Sequence, residues 1–90
     1  MTAGRARPVS VSDTVRVLFF GSLGERLGAE RLVALAAPCT LATLRSRLAE
    51  HAAGLDAPTI RASIDQVLAG PEAVVRAGQE IAFFPPFSGG

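Results

Sequence analysis

The end of the chain constrains the fold most strongly, because an apolar strand there runs directly into two prolines. Residues 80–84 read Glu-Ile-Ala-Phe-Phe, and this β-branched and aromatic run is typical of a strand. The prolines that follow have fixed φ angles and no backbone N–H, so they must end the strand and extend the chain. Two glycines close the sequence. We therefore expect a folded body over residues 15–84 and an extended tail over residues 85–90.

The composition of this tail suits it to enter a narrow site. Glycine lacks Cβ, so Gly89 and Gly90 can pass through a channel that excludes larger residues. Pro85 and Pro86 stiffen the chain before them, and at about 3.1–3.5 Å per residue the tail reaches roughly 20 Å. The α-carboxylate at its tip could attack the α-phosphate of ATP and give an acyl-adenylate, which transfers its acyl group to a thiol, an amine or a sulfide. The alternative is a frayed terminus without a role.

Composition limits the remaining possibilities. Ninety residues, 49% apolar and 19% charged, fit one small globular domain. The net charge of +1 is too small to indicate nucleic acid or a membrane surface as a partner. No apolar run approaches the roughly 18 residues that span a bilayer. The single cysteine fits a reducing cytosol, so a cytoplasmic location is expected.

The first half of the chain predicts a leader, two strands and two helices. Residues 1–14 are expected to form a flexible leader, and residues 15–20 alternate as a strand. Ser22 is expected to cap a short helix that Gly28 ends, before a second strand over residues 30–37. The main helix should begin at Thr40 and end at Gly54, with these residues on its buried stripe: Leu41, Leu44, Leu48 and Ala52.

The second half predicts a hairpin and then the last strand. Three apolar residues alternate with polar ones from residue 60 to residue 65, which indicates a half-buried strand: Ile60, Ala62 and Ile64 against Arg61, Ser63 and Asp65. A turn at Asp65 and Gln66 should lead into a return strand at residues 67–68, and Val74 and Val75 should pin a loop to the core. One main helix on one face of a mixed sheet is an α+β architecture.

Three segments together resemble a known family. They are the strand over residues 15–20 with Gly21 after it, the helix begun by Thr40, and the ending Ala-Phe-Phe-Pro-Pro-Phe-Ser-Gly-Gly. From residue 15 onward the chain is similar to the molybdopterin synthase small subunit, a family grouped with the thiamin sulfur carrier. This resemblance implies a ubiquitin-like β-grasp fold, in which the first and last strands lie side by side and parallel in the sheet centre.

The resemblance also implies a function. An adenylating enzyme related to the ubiquitin activators would use ATP to join the Gly90 carboxylate to AMP, and a persulfide donor would replace the AMP to leave a thiocarboxylate. The tail would then enter the large subunit of molybdopterin synthase and deliver sulfur to cyclic pyranopterin monophosphate, in molybdenum cofactor biosynthesis. The chain would be inactive alone and would hold no permanent cofactor and no metal.

In the fold that the resemblance implies, Phe20 and Phe84 are expected to lie near each other on the sheet face away from the main helix and to form an exposed apolar patch. Such apolar patches mark partner surfaces, although the leader or a minor core could also cover them. Gly90, with Gly89 before it, is expected to carry the chemistry. The residues expected to contact partners are Leu18, Phe20, Phe84, Pro85, Pro86, Phe87 and Ser88.

Some residues leave alternatives open. Asp65 stands where the family usually has asparagine. An arginine is common in the family's short helix near Gly24, and Arg26 is its possible substitute here. Arg16 and Arg61 either meet acidic groups of a partner or are solvated. Cys39 is interpreted as a small core residue rather than a sulfur-handling thiol. The alternative functions are a carrier for thiamin or cysteine biosynthesis, a ubiquitin-like protein modifier, and a binding domain with incidental glycines.

Overall fold

A computed structural model describes residues 13–85, which form a five-stranded mixed sheet with helices beside it. The elements are β1 (Thr14–Phe19), α1 (Ser22–Leu27), β2 (Glu30–Ala34), β3 (Cys39–Thr40), α2 (Leu41–Ala49), β4 (Arg61–Ile64), β5 (Val67–Leu68), β6 (Val74–Val75) and β7 (Glu80–Phe84). The strand order is β2-β1-β7-β4-β5, and β3 pairs with β6 in a separate two-stranded sheet. This arrangement confirms the α+β, β-grasp prediction.

The two central strands, β1 and β7, run parallel and hold the middle of the sheet. Leu18 lies opposite Ala82, and Phe19 lies opposite Phe83. The rings of Phe19 and Phe83 stack with centroids 6.1 Å apart, and both are buried. We call the face that carries them the inner face, and the opposite one the outer face. Because side chains alternate along each strand, Leu18 and Ala82 belong to the outer face.

Helix α2 covers the inner face with the apolar stripe that its spacing predicted. Thr40 caps it, since its hydroxyl accepts a hydrogen bond from the Thr43 backbone N–H at 3.1 Å. The four stripe residues are buried in the core with the inner-face strands: Leu41, Leu44, Leu48 and Ala52. The predicted helix end at Gly54 is wrong, because the helix stops at Ala49 and the chain continues in turns.

Arg45 holds these turns in place. Its Nε donates to the Leu55 carbonyl at 2.8 Å, and its Nη2 donates to the carbonyls of Ala57 and Ile60, both at 2.6 Å. Burial lowers the pKa of the Arg45 guanidinium from its usual value, and the Asp56 carboxylate opposes this shift. Arginine nevertheless remains charged at neutral pH, so these three bonds are charge-assisted.

Replacing Arg45 with methionine is expected to lower the free energy of unfolding by about 2–3 kcal/mol. Methionine keeps the packing volume but removes the Arg45 donor from three backbone carbonyls, of which that of Ala57 still accepts from the Ile60 N–H. The matched control is Arg47→Met, because Arg47 is exposed on the same helix and is expected to change stability by less than about 0.5 kcal/mol. Urea denaturation measures both variants. Equal effects would show that Arg45 does not hold the turns.

Several element boundaries differ from the sequence-based ones. Strand β1 begins at Thr14, which the sequence analysis assigned to the leader, and ends one residue before Phe20. Gly21, not Ser22, occupies the cap position of α1, and no side chain caps that helix. Strand β2 ends at Ala34 instead of residue 37. Its partner β1 begins at Thr14, which lies opposite Ala34, and the hydrogen bonding between the two segments stops one residue further on, at Leu35.

The hairpin turn at Asp65 and Gln66 is confirmed, and it is tied to the start of β7. Both residues have positive φ, 49° and 72°. The Asp65 backbone N–H donates to the Glu80 carbonyl at 2.7 Å, and the Glu80 N–H donates to Asp65 Oδ1 at 2.9 Å. Asp65 therefore fixes β7 at the end opposite the tail.

Asp65→Ala is expected to lower the free energy of unfolding by about 1–2 kcal/mol, since the Glu80 N–H loses its acceptor and alanine tolerates positive φ poorly. Asp65→Asn is the control, because asparagine keeps a side-chain oxygen and adopts left-handed backbone angles readily. We expect the asparagine variant to stay within about 0.5 kcal/mol of the parent protein. Thermal and urea denaturation compare the two, and an equal loss in both would contradict the role given to Oδ1.

Candidate functional site

The last strand, β7, ends at the centre of the sheet. Strand β7 lies between β1 and β4, and Pro85 follows its last residue. A Cβ built on Gly21, whose φ is 59°, would lie 3.2 Å from Pro85 Cγ. The proline ring therefore packs against the bare backbone of the turn between β1 and α1. Five of the predicted site residues lie outside the described residues: Pro86, Phe87, Ser88, Gly89 and Gly90.

Two aromatic rings stand beside the end of β7 on the outer face. Phe20 and Phe84 stack with centroids 6.3 Å apart and an interplanar angle of 29°. The Phe20 N–H donates to the Phe83 carbonyl at 3.0 Å, which continues the pairing of β1 and β7 to the end of β7. Phe20 remains 50% exposed, a large fraction for a phenylalanine. The structure thus brings together the two phenylalanines that the sequence analysis selected.

These rings form one end of a groove on the outer face. Its volume is about 390 Å³. Apolar side chains provide most of its lining, and three polar residues complete it. We call it the outer groove; its residues are Leu18, Phe20, Ser63, Gln66, Leu68, Glu80, Ala82 and Phe84. The predicted site residue Leu18 therefore lies in the same surface as the phenylalanines.

Charged side chains flank the outer groove. Arg16 Nε lies 2.6 Å from Glu30 Oε2, and Arg16 Nη1 lies 3.4 Å from Glu80 Oε2. Arg16 is therefore paired within the chain. Arg61 is exposed and lies opposite Phe84 in the pairing of β4 with β7, which places it at the tail end of the same face. Arg26 points elsewhere, because its Nη1 donates to the Ala53 carbonyl at 3.3 Å.

Other kinds of site find little support in the described part of the chain. Within residues 13–85, no three His, Cys, Asp or Glu residues lie close enough together to hold a metal ion. Over the same residues, no helix is long and apolar enough to cross a membrane. Cys39 is partly buried, packs against the core and pairs with Val75 across the small sheet, which agrees with its interpretation as a core residue.

The sequence analysis missed the contribution of Ser63. Alternation placed Ser63 among the polar residues of a half-buried strand, but the side chain is only 7% exposed. Its register partners are Ala82 on β7 and Leu68 on β5, so it lies on the outer face between two strands. The signal that could have found it was the predicted hairpin, because the return strand β5 makes β4 an inner strand of the sheet, with a neighbour on each side of Ser63.

Comparisons with known proteins agree with this fold. The model of the ThiS family matches residues 17–90. The molybdopterin synthase sulfur carrier subunit of Haemophilus influenzae is 34% identical over 80 residues, which cover 84% of this chain and 99% of that protein. The protein of the same name from Escherichia coli is 31% identical over the same shares of both chains.

A solved structure extends the comparison to the fold. The crystal structure of SAMP1 from Haloferax volcanii superposes with a TM-score of 0.71, covering 86% of this chain and 99% of that one. Its sequence identity of 23% supports a common fold only. The family match covers most of the chain, from the middle of β1 to the last glycine, and includes the second half of β1 and all of β7. This chain belongs to the ThiS family.

Proposed function

We propose that this chain is the sulfur-carrier subunit of a molybdopterin synthase. The observation that carries the proposal is the path of β7, which runs through the sheet centre, past the Phe20–Phe84 pair, and into the Pro-Pro and Gly-Gly tail. Two relatives named as molybdopterin synthase sulfur carrier subunits, at 31% and 34% identity, support the choice of pathway. In this proposal the body positions the tail and the partner enzymes provide the catalytic groups.

The first chemical step activates the Gly90 carboxylate. A carboxylate oxygen attacks the α-phosphorus of ATP, pyrophosphate leaves, and an acyl-adenylate forms in the active site of an adenylating enzyme related to the ubiquitin activators. This step is needed because oxide or hydroxide is a poor leaving group, whereas AMP is a good one. The glycines allow the acyl carbon to reach the nucleotide, since no side chain there would meet the walls of the enzyme.

The second step exchanges AMP for sulfur. The terminal sulfur of a persulfide attacks the acyl carbon and AMP leaves, and a thiol then reduces the resulting acyl disulfide to the thiocarboxylate. The tail next enters the large subunit, where the thiocarboxylate sulfur attacks cyclic pyranopterin monophosphate. Hydrolysis returns Gly90 to the carboxylate. Each cycle delivers one sulfur atom, so one dithiolene consumes two loaded chains.

The outer groove is the proposed docking surface for both partners. It lies beside the end of β7, it is apolar at its phenylalanine end, and Phe20 is half exposed in the isolated chain. Exposed apolar patches and aromatic side chains are typical of protein interfaces. Because the same chain must leave one enzyme and enter another, the two partners would use this surface in turn.

Intact mass spectrometry tests the proposal. The chain is incubated with ATP, the adenylating enzyme of the same organism and a persulfide donor, with ATP omitted in the control. We expect a mass gain equal to the replacement of one oxygen by sulfur, mapped by fragmentation to Gly90, and only with ATP. An unchanged mass with all components present would contradict a sulfur-carrier function. Sulfur loading without product from the large subunit and the pterin would contradict the assignment to molybdopterin synthase.

A further inference from the structure

Ser63 is a buried polar residue whose partners on both adjoining strands are apolar. It lies on β4 opposite Ala82 and opposite Leu68, so apolar neighbours flank it on both adjoining strands. Its side chain lines the outer groove. At 7% exposure it is one of only two buried polar residues in the described part of the chain.

The hydroxyl of Ser63 is unsatisfied within the chain. Among residues 13–85, neither a side chain nor a backbone group forms a hydrogen bond with Ser63 Oγ. Buried polar groups are paired in most native structures, because leaving one unpaired is unfavourable. An alanine at this position would fit the strand without that penalty. The Ser63 hydroxyl therefore does not stabilise the described part of the chain through a hydrogen bond.

Two further polar groups border the same part of the outer groove. Glu80 keeps a side-chain exposure of 24% and is held 3.4 Å from Arg16, and Gln66 lies on the other side in the hairpin turn. Arg16 lies 2.6 Å from Glu30 and only 3.4 Å from Glu80, so Glu80 is the more weakly paired of the two carboxylates, and the exposed Arg61 lies at the opposite, Phe84 end of the groove. At the Glu80 end, a positively charged or N–H-bearing group of a partner would therefore be favoured.

We propose that Ser63 is a specificity-determining residue of the docking surface. Its hydroxyl binds a partner segment that places an apolar side chain against Phe20 and Phe84, and an N–H or basic donor at Ser63 and Glu80. This inference rests on the proposed function, because it takes the large subunit of molybdopterin synthase as the partner. A lipid surface fits less well, since it cannot offer a fixed hydrogen bond to one buried hydroxyl.

The test measures affinity and stability in the same variant. Isothermal titration calorimetry compares the full chain, Ser63→Ala and Ser46→Ala for binding to the large subunit from the same organism. Ser46 is exposed on α2, on the far side of the sheet from the outer groove, so it is the matched control. We expect Ser63→Ala to weaken binding about 5- to 30-fold, the usual effect of losing one buried hydrogen bond. We expect Ser46→Ala to leave the affinity unchanged.

The stability of Ser63→Ala gives the second readout. Removing an unsatisfied hydroxyl should not lower the stability of the chain, whereas removing a hydroxyl that is hydrogen-bonded within the chain should lower it. We expect the urea midpoint of Ser63→Ala to equal or exceed that of the parent chain. A lower midpoint would show that the hydroxyl is satisfied inside the body and would overturn the inference. Unchanged affinity of Ser63→Ala would overturn it too and leave the proposed function standing. If the parent chain itself fails to bind the large subunit, both proposals are overturned.

Discussion

Adding a single alanine after Gly90 is expected to reduce sulfur delivery by more than about 100-fold while leaving the fold intact. The added residue moves the terminal carboxylate by about 3.5 Å, and displacements of about 1 Å already cost such factors in a reaction that depends on geometry. The tail begins beyond the core, so the free energy of unfolding should change by less than about 0.5 kcal/mol. A reconstituted assay with ATP, the adenylating enzyme, a sulfur donor, the large subunit and the pterin measures delivery.

The matched control adds one alanine before Met1, at the other end of the chain. This variant has the same composition and should deliver sulfur at the rate of the parent protein. Loss of activity in both variants would point to a general effect of lengthening the chain. Full activity in the variant extended after Gly90 would contradict the role of Gly90, because the proposed acyl group would then lie on a different residue.

Phe20→Ala is expected to weaken binding to the large subunit by at least about 30-fold, which corresponds to about 2 kcal/mol. Phe20 is half exposed and stacks on Phe84 beside the end of β7. A partner can therefore contact its ring without any rearrangement of the core. Aromatic side chains in such positions often contribute most of the binding energy of an interface. Isothermal titration calorimetry provides the affinity.

Leu32→Ala is the matched control for this variant. Leu32 is 60% exposed and lies opposite Arg16, so it belongs to the outer face, but β2 places it at the sheet edge and outside the outer groove. We expect its removal to change the affinity by less than about threefold, as for most residues outside a binding hot spot. If Leu32→Ala and Phe20→Ala weaken binding equally, the outer groove is not the centre of the interface.

The parts of the fold that repeat a simple pattern were predictable from sequence. Strands β1 and β7 alternate between faces, so counting residues placed Phe20 opposite in direction to Phe19, and Phe84 opposite in direction to Phe83. The stripe of leucines on α2 followed from the helical period, and its start followed from Thr40. That β1 and β7 are parallel neighbours came from the family resemblance and not from either strand alone.

The parts that depend on irregular backbone were not predictable. The role of Arg45 did not follow from the sequence, because its three carbonyl partners lie in turns that have no repeating pattern. Strands β3 and β6 have two residues each, too few for a period to appear. Ser63 looked like an ordinary polar position because its burial depends on which strands lie on both sides of it. In each case the missing information was a tertiary neighbour.

A single-turnover transfer experiment tests the central claim most directly. The chain is loaded with isotopically labelled sulfur, purified away from ATP and the adenylating enzyme, and mixed with the large subunit and cyclic pyranopterin monophosphate. The account predicts labelled dithiolene at one product per two loaded chains, with Gly90 recovered as a carboxylate and no need for further ATP. Unlabelled product, or label that stays on the chain while product forms, would contradict it.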